Sequence, residues 1–480
     1  MSSLIDEKEQ QLSVDDVIVS GSTWAAIWHM SWPMLVQMLI VAAASFVDVW
    51  IAGKLGSDTQ AAIGICNQIW FLMLLMTVAL SSGCMALISR FWGARDYQSA
   101  IEAGRHSLIF GILFGVASTV LGLATAKPIL AMSGATTAVQ ELGWQFLSVD
   151  LLSQLPFTIV WTAHSMFRAI GNSRVPMLNW VAMAIVIISL DFLLCLGPLH
   201  LGIAGIGWSW LGGGLVGTVL NLILLRQSDL RDSLDLTPTL LALLKGDKQE
   251  IERTRDWVYR ILKIGLPTCF QDLAWIFGNF ALIAIFAKTK NPTDVMAAWT
   301  IGFRLEEIIC TLPLHAIGCS VGTIIGQNLG AQKPERAVKT GWQATMIGLA
   351  FEVPTAIAMF VFATPIASVM SRDPGVIAPT VAYMQIIGVS EPLVACWIIL
   401  FGAMTGAGYT KWPMWVGIVA LTLVRLPLAY YLTVNGGMGA SGVWLAIAIS
   451  SSLIGLMAIW KYHSESGNCK KFELLSIGAV

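Results

Sequence analysis

Apolar positions gather into twelve stretches, at about 27–53, 60–88, 107–126, 139–167, 175–198, 203–225, 258–286, 296–325, 341–368, 377–405, 412–434 and 440–461. A helix needs roughly 20 apolar residues to cross a bilayer, so each stretch predicts a membrane span. Polar residues collect between them. The largest break, 227–256, holds RDSLDL and KGDKQEIERTRD and separates six spans from six. The expected fold is all-α, with twelve transmembrane helices in two six-helix lobes, 24–226 and 257–463. Residues 227–256 are the expected cytoplasmic linker. Its LTPTLLALL segment is too short to span and fits a short interfacial helix. Residues 1–23 and 464–480 are expected as cytoplasmic tails.

The two halves repeat. In Ser89–Ser107, Gly93, Ala94, Ala100 and Gly104 recur 237 residues later as Gly330, Ala331, Ala337 and Gly341. Gly171 and Pro176 recur at the same offset as Gly408 and Pro413, and Gly202 and Gly205 as Gly439 and Gly442. Nearer the front, Pro33 pairs with Pro267 at an offset of 234. So long a period marks a duplicated half-protein, not a solenoid of short repeats. Six spans per half is an even number, so both halves point the same way. They form a parallel repeat about the membrane normal, and transporters built so bind substrate between the halves, near mid-membrane.

Composition narrows the function. Only 12% of residues are charged, against about 25% in soluble proteins. A net charge of −1 gives no basic field for nucleic acid. The start of the chain, with Asp6, Glu7, Glu9, Asp15 and Asp16, lacks the basic n-region of a signal peptide. The eight cysteines follow no CxxC or Cys/His spacing, so neither a structural metal nor a disulfide is expected. HExxH and P-loop patterns are missing, which argues against an enzyme and against a cofactor. Lys and Arg divide 21 to five between the two sides, with Arg304 and Arg425 inside spans. Cytoplasmic loops carry the excess, so both termini belong in the cytoplasm of a multi-pass protein of the cell (inner) membrane, expected to act as a monomer.

An ionisable side chain inside a span is costly unless it has a partner or a polar cavity, so these residues are the place to look for function. The first half has Asp48, Asp150 and Asp191. The second has Asp272, Arg304, Glu306, Glu307, Glu352, Glu391 and Arg425. Acids outnumber bases eight to two, which favours a cationic substrate. Asp48, in SFVDVWIAG, has no base within one turn on its own helix, and its immediate neighbours are apolar. Asp150 and Glu352 read as acids near span ends that touch headgroups. Arg425, just ahead of Pro427, reads as a base satisfying a broken helix. At 100° per residue Arg304, Glu307, Thr311 and His315 share a face. Arg304 and Glu307 then form a self-neutralising i,i+3 pair, leaving Glu306 free for a cavity. His164 and His315 read as buried hydrogen-bonding residues. Prolines inside spans, Pro33 among them, remove a backbone donor and allow bending.

In order along the chain, these residues resemble the multidrug and toxic compound extrusion (MATE) family. The resemblance rests on Pro33, FVDVWIAGKLG (46–56), FWGAR (91–95), FRAIGNSRVPM (167–177), SLDFLL (189–194), RLEE followed by LPLHAIG and GQNLGA (304–331), and GAGYTKWPM (406–414). It covers nearly all of 24–463. It implies two six-helix lobes in a V shape, surrounded by membrane lipid, that export organic cations or other amphiphiles by exchange with H⁺ or Na⁺. A flippase for lipid-linked substrates of the same superfamily is the alternative, and its anionic cargo would want a basic cavity. Asp48 and Asp191 match the family's coupling-ion aspartates, and Pro33 its hinge in the first span. Arg304 and Glu306 match an RxE motif on the eighth span. Asp272 and Glu391 lie on the spans that carry second-lobe acids in some branches. With Glu307, they complete the expected cavity set. Two departures matter: Ile187 stands where an asparagine is common, and Trp210 where a threonine is expected. Both remove oxygen ligands and favour H⁺ over Na⁺. Two adjacent carboxylates in a low dielectric do not both ionise cheaply, so Asp48 and Asp191 are expected to share one proton.

Overall fold

The computed structural model describes residues 18–132 and 134–466. The expected tails lie mostly outside these residues, as does Cys469. Among the described residues, twelve helices are long and apolar enough to span a membrane. They are α1 (Thr23–Leu55), α2 (Ser57–Gly93), α3 (Tyr97–Met132), α4 (Thr137–Ala169), α5 (Arg174–Leu196) and α6 (Ile203–Gln227), then α7 (Lys248–Phe286), α8 (Pro292–Gly330), α9 (Pro334–Val361), α10 (Pro374–Gly406), α11 (Lys411–Asn435) and α12 (Ala440–Glu465). The LTPTLLALL segment forms a short helix, Thr237–Leu244. Many large apolar side chains point outward, Leu113, Val120, Phe277, Ile357 and Val389 among them. An all-round apolar helix of this kind suits a lipid surround.

The chain divides into two compact units. One is Trp32–Leu266; the other takes the chain up to Ser31 together with everything from Pro267. The division falls beside two prolines that the repeat pairs, Pro33 in α1 and Pro267 in α7. The opening turns of α1 therefore belong to the unit that holds α8–α12. Ile18, Ala26, Ile27 and Met30 share a core there with Leu314, Val321, Ile325 and Ile399. The opening turns of α7 belong to the other unit. A Cβ on Gly83 of α2 would strike the Ile261 carbonyl, and one on Gly265 would strike that of Ala79.

The duplicated stretch explains this exchange. In the Trp32–Leu266 unit the start of α3 grips the run-in to α7. Arg105 donates to the Asp232 carbonyl at 3.0 Å, Ser233 donates to that of Ile101 at 3.0 Å, and Arg253 pairs with Glu102. In the other unit the repeated stretch grips the run-in to α1. Arg336 and Asn328 donate to the Ile18 carbonyl at 3.0 and 3.3 Å, and Lys333 to that of Val19 at 3.0 Å. This docking also explains why α7 begins at Lys248, inside the charged run read as linker. Its acids and bases have partners on α3, so the segment is held as helix.

Small residues set the closest helix crossings. Gly318 and Gly322 on α8 face Gly402 and Gly406 on α10; a Cβ on Gly402 would run into the Gly318 carbonyl, and one on Gly406 into that of Gly322. Pairs of small residues four apart let membrane helices approach to backbone contact. Among the described residues, four short π-helical turns interrupt or end the spans: Phe192–Leu196, Glu307–Thr311, Val419–Val424 and Tyr431–Asn435. Turns of this type concentrate at functional sites, and the first two adjoin intramembrane acids.

Candidate functional site

In the Trp32–Leu266 unit three helices bring their acids together. Asp48 comes from α1, and Asp191 from α5, where the α-helix gives way to the π turn Phe192–Leu196. The two carboxyls lie side by side. Asp191 is fully buried and Asp48 is 8% exposed. Asp150, on α4, is close enough to act on Asp48 electrostatically. It sits just before the 3₁₀ turn Leu151–Ser153 and is 3% exposed, so it does not reach headgroups as its place near a span end suggested.

The donors around this pair are few. Trp210 on α6 gives its indole N–H to Asp48 Oδ2 at 2.8 Å. Asp48 Oδ1 and both Asp191 oxygens have no partner among the described residues. Ser209 lies beside Asp191, but its hydroxyl donates to the Gly205 carbonyl at 2.8 Å. Ile187, one turn before Asp191, is buried and packs where Gly213 leaves room. Aromatic rings hold Trp210 in place: Phe157 at 5.6 Å and Trp70 at 6.3 Å between centroids. The site is thus two carboxyls and one N–H donor in an apolar wall. From the sequence Trp210 is only a lost oxygen ligand; its role as donor depends on a contact between α6 and α1.

The other unit holds a second acidic cluster. Glu391 on α10 and Glu352 on α9 are both fully buried. None of their four carboxylate oxygens has a partner among the described residues. Cys310, in the π turn of α8, offers its sulfur within 4.8 Å of both carboxylates. Glu306 is half-buried and accepts a hydrogen bond from Tyr383. Arg425 donates to Ser450 at 2.8 Å and Ser451 at 2.9 Å on α12. It lies near enough to Glu306 to feel its charge.

Glu352 corrects the reading of a headgroup-facing acid: it lies inside α9, two residues before Pro354, and is fully buried in the unit. Asp272 is half-buried on α7, with Cys269 as its near neighbour, and is not among the groups that Glu391 faces. Arg304 and Glu307 do pair, at 2.7 Å, on an exposed face. Thr311 and His315 do not continue that face, because the wide turn Glu307–Thr311 inserts a residue into the register. His164 is buried as expected, whereas His315 is exposed.

The sequence profile of the MatE family matches the chain twice, over residues 33–193 and 267–431. The chain belongs to the MATE family. Both matches begin at a paired proline, so the duplication is the family's own unit. Relatives of this MATE transporter span nearly the whole chain at low identity. The "Uncharacterized transporter YisQ" of Bacillus subtilis is 21% identical, covering 92% of this chain and 94% of its own. The "Probable multidrug resistance protein NorM" of Thermotoga maritima is 22% identical, covering 86% and 87%. A solved outward-facing multidrug resistance MATE transporter shares the fold at a TM-score of 0.85 and 21% identity, over 95% of this chain and 98% of that one. The chain is therefore a multi-pass membrane transporter.

Proposed function

We propose that this MATE protein exports organic cations or other amphiphiles in exchange for protons, loaded on Asp48 and Asp191. The observation that carries the reading is the donor shortage at that pair. With both carboxyls ionised, three buried oxygens lack a donor, and one buried unpaired charge is already expensive. A single proton between the two supplies the missing donor and removes a charge. Sodium fits poorly: Asp48 Oδ2 is taken by the Trp210 N–H, Ser209 aims its proton elsewhere, and Ile187 adds no oxygen. Loading lowers the cost of closing the apolar wall, and Pro33 gives α1 a place to bend. Proton release restores a negative charge that attracts a cationic substrate. In the other unit, Arg304 and Glu307 cancel each other, and Asp272 is the acid we assign to the substrate's positive charge.

The test is efflux of a lipophilic cationic dye from proteoliposomes under an imposed pH gradient, with and without sodium. Efflux driven by pH alone supports the reading. Efflux that ignores pH and needs sodium overturns it, and movement of anionic lipid-linked sugars without dye transport points to a flippase.

The Lys and Arg asymmetry supports termini in the cytoplasm of the cell membrane. Single cysteines at Gln98, Asp247 and Glu335, all exposed, are expected to react with an impermeant maleimide only from the cytoplasmic face. One at Lys290 is expected to react only from outside. Labelling of Asp247→Cys in intact cells reverses the orientation.

A further inference from the structure

The proton reading uses the acids of the Trp32–Leu266 unit and leaves the buried cluster of the other unit unexplained. From that cluster, the geometry points to a binding site for one thiophilic divalent cation of the zinc class, held by Cys310 Sγ, Glu352 and Glu391. The three donor atoms come from α8, α9 and α10 and lie within 4.8 Å of one another. Both carboxylates and the thiol belong to residues with no solvent exposure. All four glutamate oxygens lack a partner among the described residues. Two buried carboxylates beside a thiol, with no hydrogen-bond partner for any of the four carboxylate oxygens among the described residues, form a polar hole in an apolar core. A cation fills such a hole; water alone leaves the charges uncompensated.

The donor set selects the class of ion. Calcium takes six to eight oxygens and magnesium a near-ideal octahedron of oxygens, and neither suits a thiolate. Zinc and cadmium take mixed sulfur and carboxylate sets in tetrahedral geometry. Zn–S bonds of about 2.3 Å and Zn–O bonds of about 2.0 Å in a tetrahedron put neighbouring ligand atoms about 3.5 Å apart. The observed spread is roughly an ångström wider, which glutamate side-chain rotation closes. A fourth donor is at hand: Met359 Sδ lies 3.4 Å from Cys310 Sγ.

The backbone adapts the three helices to this point. Cys310 sits in the π turn Glu307–Thr311, and Pro313, Pro354 and Pro392 each follow a ligand within three residues. The repeat supplies neither thiol nor acid: at the offset of 237, Met73, Gly115 and Gln154 stand where Cys310, Glu352 and Glu391 do. This cluster is therefore a specialisation of one half, not a relic of the duplication. A bound ion would tie α8, α9 and α10 together.

The experiment uses full-length protein in detergent, stripped with a chelator and titrated with Zn²⁺ and with Cd²⁺ as a spectroscopic probe. One ion per chain is expected, with a thiolate-to-cadmium charge-transfer band and a rise in melting temperature on adding Zn²⁺. Loss of an outer-shell partner weakens metal sites 10–100-fold, so loss of a ligand in Cys310→Ser or Glu391→Gln is expected to cost about 100-fold or more in affinity. The cadmium band disappears in Cys310→Ser and persists in Cys396→Ser. Should Cys310→Ser not yield folded protein, Glu352→Gln keeps the band position and loses affinity. Absence of the band in the wild-type protein, or Zn²⁺ affinity unchanged in both glutamate variants, overturns the site. Neither result touches proton coupling at Asp48 and Asp191, which pH-driven dye efflux reads separately.

Discussion

Asp48→Asn and Asp191→Asn are each expected to abolish pH-driven efflux of a cationic dye while the protein still folds and reaches the membrane. One proton exchanged per substrate turns each pH unit into about 1.4 kcal/mol, which is a tenfold change in the accumulation ratio. The wild-type ratio should follow that slope, and either asparagine variant should lie flat. The physical reason is the economy of the site. Asp48 Oδ2 holds the Trp210 N–H at 2.8 Å, and the remaining three oxygens of the pair wait for a donor. An asparagine amide supplies that donor permanently. The pair then resembles its loaded state at every pH and has no proton to release. Folding should survive, because the substitution satisfies buried acceptors instead of orphaning them. Asp150→Asn separates a general loss of negative charge from a loss of this pair. It leaves both aspartates in place and is expected to keep a pH response. A steep pH response in Asp48→Asn refutes the mechanism.

How much of this was legible in the sequence depended on range. Asp48 stood out because an acid among apolar residues on one helix is a local signal. The twelve spans and the repeat are also local patterns, repeated along the chain. The role of Trp210 was not legible, since whether an indole lost an oxygen site or gained a donor role depends on α6 facing α1, 162 residues away. The second cluster was hidden for the same reason. Cys310, Glu352 and Glu391 lie 42 and 39 residues apart, far outside any ligand-spacing motif. In helices apolar on every face, the sequence says little about which way one acid points. Glu352 was thus read as headgroup-facing, though it is fully buried. The charged run before Trp257 was read as linker because its partners, Glu102 and His106 on α3, are some 150 residues away. With those partners it continues α7 as helix.

Gly406→Val is expected to prevent accumulation of folded protein, and Gly406→Ala to lower its melting temperature sharply. On α10, Gly402 and Gly406 meet Gly318 and Gly322 on α8 so closely that an added Cβ would intrude on main-chain carbonyls at both levels. A flexible side chain can move aside; a helix backbone cannot without shifting the whole crossing. Overpacking a core usually costs about 1–3 kcal/mol, and an obstacle made of main chain puts Gly406→Ala at the upper end of that range. The repeat shows that the crossing itself does not demand glycine. At the 237-residue offset the same four places hold Ser81, Met85, Ser165 and Ala169. The approach is therefore tighter in the half that carries the buried cluster. Cys310 lies about two turns before Gly318 on α8, and Glu391 about three turns before Gly402 on α10, so parting the helices would spread the donors as well. Gly64→Ala is the control. It lies in α2 with nothing within 4 Å of an added Cβ, and replacing a mid-helix glycine with alanine is worth up to about 1 kcal/mol in helix propensity. Thermal unfolding followed by size-exclusion fluorescence reads all three. Equal melting temperatures for Gly406→Ala and Gly64→Ala would mean that the α8–α10 crossing yields at no cost, contrary to the packing.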